Sequence, residues 1–128
     1  PPMNLWEGSL TAEDGQTVFK GNGLTFPLNL PPSQARQNSA LTLGIRPEEI
    51  ALQESSEAIP ITGTVELVED LGADLLLHCW ASEHRLVVRT ARRIDNIQGQ
   101  TVTLFFPVDK LHLFIDHRRF PHPSASPT

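Results

Sequence analysis

The stretch Thr42-Leu43-Gly44-Ile45-Arg46-Pro47-Glu48-Glu49-Ile50-Ala51-Leu52 decides how the rest of the chain is read. It starts as a run of strand-forming residues, meets a proline with two acids behind it, and resumes as an apolar stretch. Pro47 fixes φ and suits a first helical turn, so Pro47 to Ile50 reads as a single turn at a corner. The same sequence of events recurs at Thr103-Leu104-Phe105-Phe106-Pro107-Val108-Asp109-Lys110-Leu111-His112-Leu113. Two β-corners resembling each other by chance would give the same echo.

Outward from these corners the pattern stays that of strands. Short runs rich in Val, Ile, Leu, Thr and Phe alternate with turn residues, and no long stretch keeps a helical period. The strands expected are Gly8 to Thr11, Gln16 to Lys20, Leu24 to Leu28, Ala40 to Arg46, Ile61 to Glu69, Asp74 to Trp80, His84 to Arg89, Thr101 to Phe106 and Leu111 to Ile115. Glu13-Asp14-Gly15, Gly21-Asn22-Gly23, Leu71-Gly72-Ala73 and Gln98-Gly99-Gln100 supply the turns, and Asn22-Gly23 suits a tight hairpin. Pro31 to Ser39 and Gln53 to Pro60 read as surface connections. Residues 121–128, rich in proline and serine, read as a disordered tail.

Composition excludes several classes. The chain has 128 residues and a net charge of −5, from 10 basic and 15 acidic side chains. That size allows one compact domain, or two very small interleaved ones. An acidic chain repels phosphate backbones unless its arginines cluster; the basic set is Arg85, Arg89, Arg92 and Arg93. A single-strand-binding barrel would interleave such residues with exposed aromatics, yet aromatics are 6% of the chain and tyrosine is absent. Phe105, Phe106 and Phe114 read as core. No apolar run approaches the ~20 residues that span a bilayer. No secretory signal is evident, and a start on Pro1 is what a processed chain or a segment of a longer polypeptide would show.

Catalytic and metal chemistry find no foothold in the sequence. No glycine-rich loop precedes Lys-Ser or Lys-Thr, and Gly21-Asn22-Gly23 runs into a strand pattern, so no phosphate cradle is present. His78 and the lone Cys79 are neighbours in a strand and point to opposite faces. Cys79, in alternation with Leu75 and Leu77, reads as a small buried hydrophobe. His117 and His122 read as surface histidines, and His112, between Leu111 and Leu113, faces away from the core with a possible place at an interface. The acid pairs Glu48-Glu49 and Glu69-Asp70 read as solvated.

Four segments in order carry a family resemblance: Pro1-Pro2-Met3-Asn4-Leu5; Leu43-Gly44-Ile45-Arg46-Pro47-Glu48; Val65-Glu66-Leu67-Val68-Glu69-Asp70-Leu71-Gly72-Ala73-Asp74; and Gly99-Gln100-Thr101-Val102 through Leu111-His112-Leu113-Phe114. Together the chain resembles the C-terminal regulatory region of the ATP-binding subunits of MalK/UgpC-type sugar ABC importers, over roughly Pro1 to Phe120. The resemblance implies an all-β fold, an OB-like barrel with an interleaved small β-subdomain. Its subdomains would be roughly 1–52 plus 107–120, and 59–106. It implies a non-catalytic domain that regulates the ATPase and supports its dimer, at the cytoplasmic face of the membrane. Partners would be a second copy, permease subunits and a regulatory protein, with ATP and Mg bound by the parent and no cofactor here. An oxyanion- or small-ligand-binding module is the alternative, and a single-stranded nucleic-acid barrel the other.

The marker residues matched to the family are Gly44, Arg46, Pro47, Glu48 and Gly72, with His112 beside them. Each has a structural account. Gly44 permits close approach to a strand, Arg46 can grip a carboxylate, Pro47 shapes the corner, Glu48 can cap the turn's amides, and Gly72 suits a turn with positive φ. Leu111, Leu113 and Phe114 match the closing strand and read as core.

Overall fold

The computed structural model describes residues 2–30, 41–115 and 118–119. The expected connection at Pro31 to Ser39, the tail, His117 and His122 lie outside the described residues. Within them the chain forms strands β1 (Asn4–Glu13), β2 (Gln16–Gly21), β3 (Leu24–Leu28), β4 (Leu41–Ile45), β5 (Ala58–Asp70), β6 (Leu75–Ala81), β7 (His84–Thr90), β8 (Thr101–Pro107), β9 (His112–Ile115) and β10 (Arg118–Arg119). These make a six-stranded sheet ordered β10-β9-β4-β1-β2-β3 and a four-stranded sheet ordered β7-β6-β5-β8. The all-β reading is what the chain adopts.

Local chemistry explains the hairpins. Glu13 pairs with Gln16 and Gly21 with Leu24, leaving two-residue loops. Asp14-Gly15 and Asn22-Gly23 both take positive φ throughout, 51° and 75°, then 50° and 78°. That is the turn whose twist matches the flanking strands.

β5 is the shared element of the smaller sheet. Its first half pairs with β8 and its second half with β6, with a bulge between Val65 and Leu67. Glu66 is the extra residue. Strict alternation would send Leu67 inward with Val65; the bulge turns Leu67 out, 48% exposed, and brings Val68 against the core.

The two echoing segments become the same structure. A single 3-10 turn at Pro47–Glu49 follows β4, and another at Val108–Lys110 follows β8. Aligned positions share burial: Leu43 with Leu104, Ile45 with Phe106, Ile50 with Leu111. The corners also exchange their exits. Ala51, leaving the first, bridges Phe105 through hydrogen bonds of 2.9 and 2.8 Å. His112, leaving the second, pairs with Gly44. In the alignment Ala51 matches His112 and Phe105 matches Gly44, so the two contacts are pseudo-symmetric copies.

One apolar core runs through both sheets, with Trp6, Phe19, Phe26 and Phe106 fully buried. Trp6 stands at its centre, edge-on to Phe26 at 5.6 Å and to Phe106 at 5.7 Å between ring centroids. Phe105 and Phe114, expected in the core, are only half-buried. Around each the alternate residues take the inward positions: Leu104 and Phe106 in β8, then Leu111, just before β9, and Leu113 within it. β1 also begins four residues before the expected Gly8, and β5 three before Ile61.

Candidate interface

Apart from Gly72, the marker residues sit on and around the first corner. Leu5, Gly44 and His112 lie abreast on β1, β4 and β9. Phe114 lies beside them with its ring 6.3 Å from that of His112. A Cβ on Gly44 would fall 2.6 Å from Met3 Sδ, 3.1 Å from Leu5 Cδ2 and 3.3 Å from Phe114 Cε2. Glycine here lets three apolar side chains close over the strand, as close backbone approach requires. The result is a small apolar patch on the outer face of the larger sheet, with Leu5 52% exposed at its centre.

Around the corner the expected roles divide. Pro47 is buried and starts the 3-10 turn, closed by the Glu49 N–H donating to the Arg46 carbonyl at 3.0 Å. Glu48 does not cap the turn, which has no side-chain cap hydrogen bond, and Arg46 is exposed with no carboxylate in its grip among the described residues. A turn of one hydrogen bond leaves few free amides to cap, which removes the reason for the acid to fold back. Behind the turn a shallow cleft of about 340 Å³ is bordered by Glu48, Leu52, Arg89 and Arg92.

Gly72 belongs to the other sheet. Its φ is +92°, as its turn requires, and it joins a polar lock rather than the marker corner. Its N–H donates to Asp70 Oδ1 at 2.8 Å, and Arg93 grips the same carboxylate with both guanidinium nitrogens. The Arg93 bond first, then the Gly72 N–H, pull the Asp70 carboxyl from 3.8 to about 2. The folded-state value lies below the ordinary one, so the lock is fully formed above 3.8 and is lost as pH falls from 3.8 toward 2. In a carboxyl titration followed by NMR, Arg93→Gln is expected to return Asp70 toward 3.8.

The basic set is mostly consumed by such pairs. Arg89 Nε donates to Asp74 Oδ2 at 2.6 Å. Arg85 lies 3.5 Å from Glu66 and stacks 4.7 Å over Trp80, whose indole N–H donates to Glu66 at 2.7 Å. Arg92 alone of the four keeps a side chain without a partner among the described residues. The arginines therefore form no free stripe for a phosphate backbone.

Cys79 is buried, as its alternation with Leu75 and Leu77 requires, and burial pushes its thiol up to about 11. A thiolate is the reactive form, so folded protein is expected to resist thiol reagents at pH 8 and to react fully in denaturant.

Three residues went unnoticed in the sequence, all where the sheets meet. Asn4, 8% exposed, donates its amide N–H to the Val87 carbonyl at 2.9 Å and accepts the Val87 N–H at 2.8 Å. It thus completes the free edge of β7 as a neighbouring strand would. Trp6 stacks on His84, ring centroids 4.6 Å apart, and its indole N–H has no acceptor among the described residues. His84 Nδ1 lies 2.7 Å from the Asn22 amide nitrogen. The sequence carried no alternation to find them by: Asn4-Leu5-Trp6-Glu7 runs polar, apolar, apolar, polar, and only the structure shows Asn4 and Trp6 inward and Leu5 and Glu7 outward.

Two twisted antiparallel sheets closed over one core by exchanged corners define an all-β module of OB type. Residues 43–114 match the family model of the TOBE domain, and residues 1–50 match that of the MalK OB fold domain; the chain belongs to the TOBE domain family. It is similar to the sn-glycerol-3-phosphate import ATP-binding protein UgpC of Yersinia pestis, 36% identical over 114 residues. It is also similar to the protein of that name from Escherichia coli O1:K1 / APEC, 40% identical over 115 residues. Each alignment covers 89% of this chain, which spans 31% of the relative's length. The crystal structure of the cytoplasmic molybdate-binding protein ModG with molybdate bound shares the fold, with a TM-score of 0.61 and 11% identity over 88% of this chain and 95% of that one. Among the described residues no helix is long and apolar enough to cross a membrane.

Proposed function

We propose that this chain is the regulatory, non-catalytic region of an ABC importer's ATP-binding subunit. The observation that carries the reading is 36–40% identity to import ATP-binding proteins over 89% of the chain. The parent would bind ATP and Mg, transport a sugar or glycerol-3-phosphate-type substrate, and lie on the cytoplasmic face of the membrane against its permease subunits. Two subdomains, 1–52 plus 107–120 and 59–106, would make up the region; sheet membership favours the division. A regulatory protein that binds one state of the subunit better than another would shift the ATPase by that difference, and ~1–3 kcal/mol gives a several-fold to hundredfold effect.

The patch of Met3, Leu5, His112 and Phe114, with Arg46 at the corner, supports its use for contact with a second copy. The decisive test is the coding sequence ahead of Pro1. A phosphate-binding loop and the ABC signature motif are expected there, and their absence would overturn the reading. Sedimentation of the isolated chain at high concentration tests self-association: Leu5→Lys should weaken a dimer, and a strict monomer in the unmodified chain counts against one.

Arg92, whose side chain has no partner among the described residues and borders the cleft behind the corner, favours a second reading, an anion-binding module. A rise in melting temperature with phosphate or molybdate, abolished by Arg92→Gln, would support it. No rise with either anion would remove it.

A further inference from the structure

Among the described residues, three consecutive residues of β1 reach across to the smaller sheet. Asn4 completes the edge of β7 at Val87. The Leu5 backbone hydrogen-bonds the His84 ring. Trp6 stacks on the same ring. From the other side the β2–β3 turn closes in: Asn22 meets His84 Nδ1, and a Cβ on Gly23 would collide with the Ser82 hydroxyl. His84 is thus held at Nδ1 and on one face, by two separate parts of the larger sheet.

This arrangement fits one protonation state. The Asn22 amide N–H donates to Nδ1, so Nδ1 carries a lone pair and the neutral ring keeps its proton on Nε2. A second proton on Nδ1 would set one N–H against another. We propose that His84 is a proton-sensitive latch between the two sheets, closed when the ring is neutral and released when it is protonated. Among the described residues no acid pairs with the ring to rescue the charged form. Leu5 and Trp6 of β1 and Asn22 and Gly23 of the turn are uncharged. Lys20, at the end of β2, is held by Glu13. In the hairpin of His84 itself Ser82 and Glu83 are exposed, and Arg85 lies on the outer face with Glu66. Burial, opposed by the Leu5 backbone, pulls His84 below its usual 6.5, and no charged side chain contributes.

The direction of the pH response follows. The closed form has the lowered pKa and the opened form the ordinary one, so the latch is fully closed above 6.5. As pH falls below that, the opened form gains about tenfold per pH unit until the closed form titrates as well.

The test uses the whole chain with nitrogen-15 label. Ring spectra report the tautomer and pKa of His84. The protection factor of the Val87 amide, corrected for intrinsic exchange, reports closure of the joint. Nδ1 is expected to be the unprotonated nitrogen, and Val87 protection to fall about tenfold per pH unit below 6.5. His84→Gln cannot titrate, so its Val87 protection should be flat over that window. Asn22→Asp places a carboxylate beside Nδ1, raising the His84 pKa and reversing the slope. A proton on Nδ1 at neutral pH, or a Val87 pH course in the unmodified chain that is flat or matches His84→Gln, would overturn the latch.

Discussion

Trp6→Ala is expected to destabilise the protein by about 3–5 kcal/mol, the usual cost of emptying a buried tryptophan site. Trp6 is fully buried between Phe26, Phe106 and His84. Such a loss approaches the whole stability of an ordinary domain. A urea melt should show a lower midpoint with an unchanged slope if the fold survives. Trp6→Phe makes the prediction sharper. The phenyl ring keeps the aromatic contacts and leaves a smaller cavity. It also removes an indole N–H that lacks an acceptor among the described residues, a burden of about 1–3 kcal/mol. The two effects oppose, so Trp6→Phe should lie within about 1–2 kcal/mol of the unmodified protein. A Trp6→Phe loss as large as that of Trp6→Ala would mean the indole N–H is satisfied in solution.

Asn4→Ala should cost about 2–3 kcal/mol, because both its hydrogen bonds to Val87 vanish and leave backbone groups of β7 unpaired at a part-buried edge. Asn4→Asp separates this account from simple loss of packing. A carboxylate can still accept the Val87 N–H, but its other oxygen faces the Val87 carbonyl, acceptor against acceptor. At neutral pH it should be at least as damaging as alanine. Protonation supplies an O–H donor to that carbonyl, so the folded-state pKa of the new aspartate is raised. Its stabilising form is then present below the ordinary carboxyl value of about 3.9 and lost as pH rises through the raised one. Denaturant midpoints at pH 4 and pH 7 check this: Asn4→Asp should recover toward the unmodified protein at the lower pH, and Asn4→Ala should not.

Much of the fold was legible because it rests on local chemistry. Asn22-Gly23 permits positive φ at both turn positions, and Pro47 starts a turn wherever a strand must bend. The echo between Thr42–Leu52 and Thr103–Leu113 was visible as a pattern, and its residues set both strands and both turns. It could not say that the corners exchange exits, since pairing partners are a matter of register between distant segments. The bulge at Glu66 escaped for the same reason: Leu67 is apolar, and only its pairing with His78 shows that it faces out.

The marker corner was found through its residues, but two of the roles assigned to it did not survive. Arg46 and Glu48 are charged side chains on a turn, and sequence cannot tell a partnered charge from a solvated one. Asn4 was quoted only as part of a matching segment. Its work depends on Val87, 83 residues away.

The sequence by itself determined the all-β class, the hairpin turns, the inward positions of most strands and the family. Alternation, turn chemistry and proline geometry act between near neighbours, so they are written in the order of residues. Only the tertiary structure decided which surfaces remain open and how the two sheets are held together. Those are set by Asn4 on Val87, His84 between Asn22 and Leu5, and Met3, Leu5 and Phe114 closing over Gly44. Each is a contact between segments distant in the chain, specified by the fit of the assembled sheets.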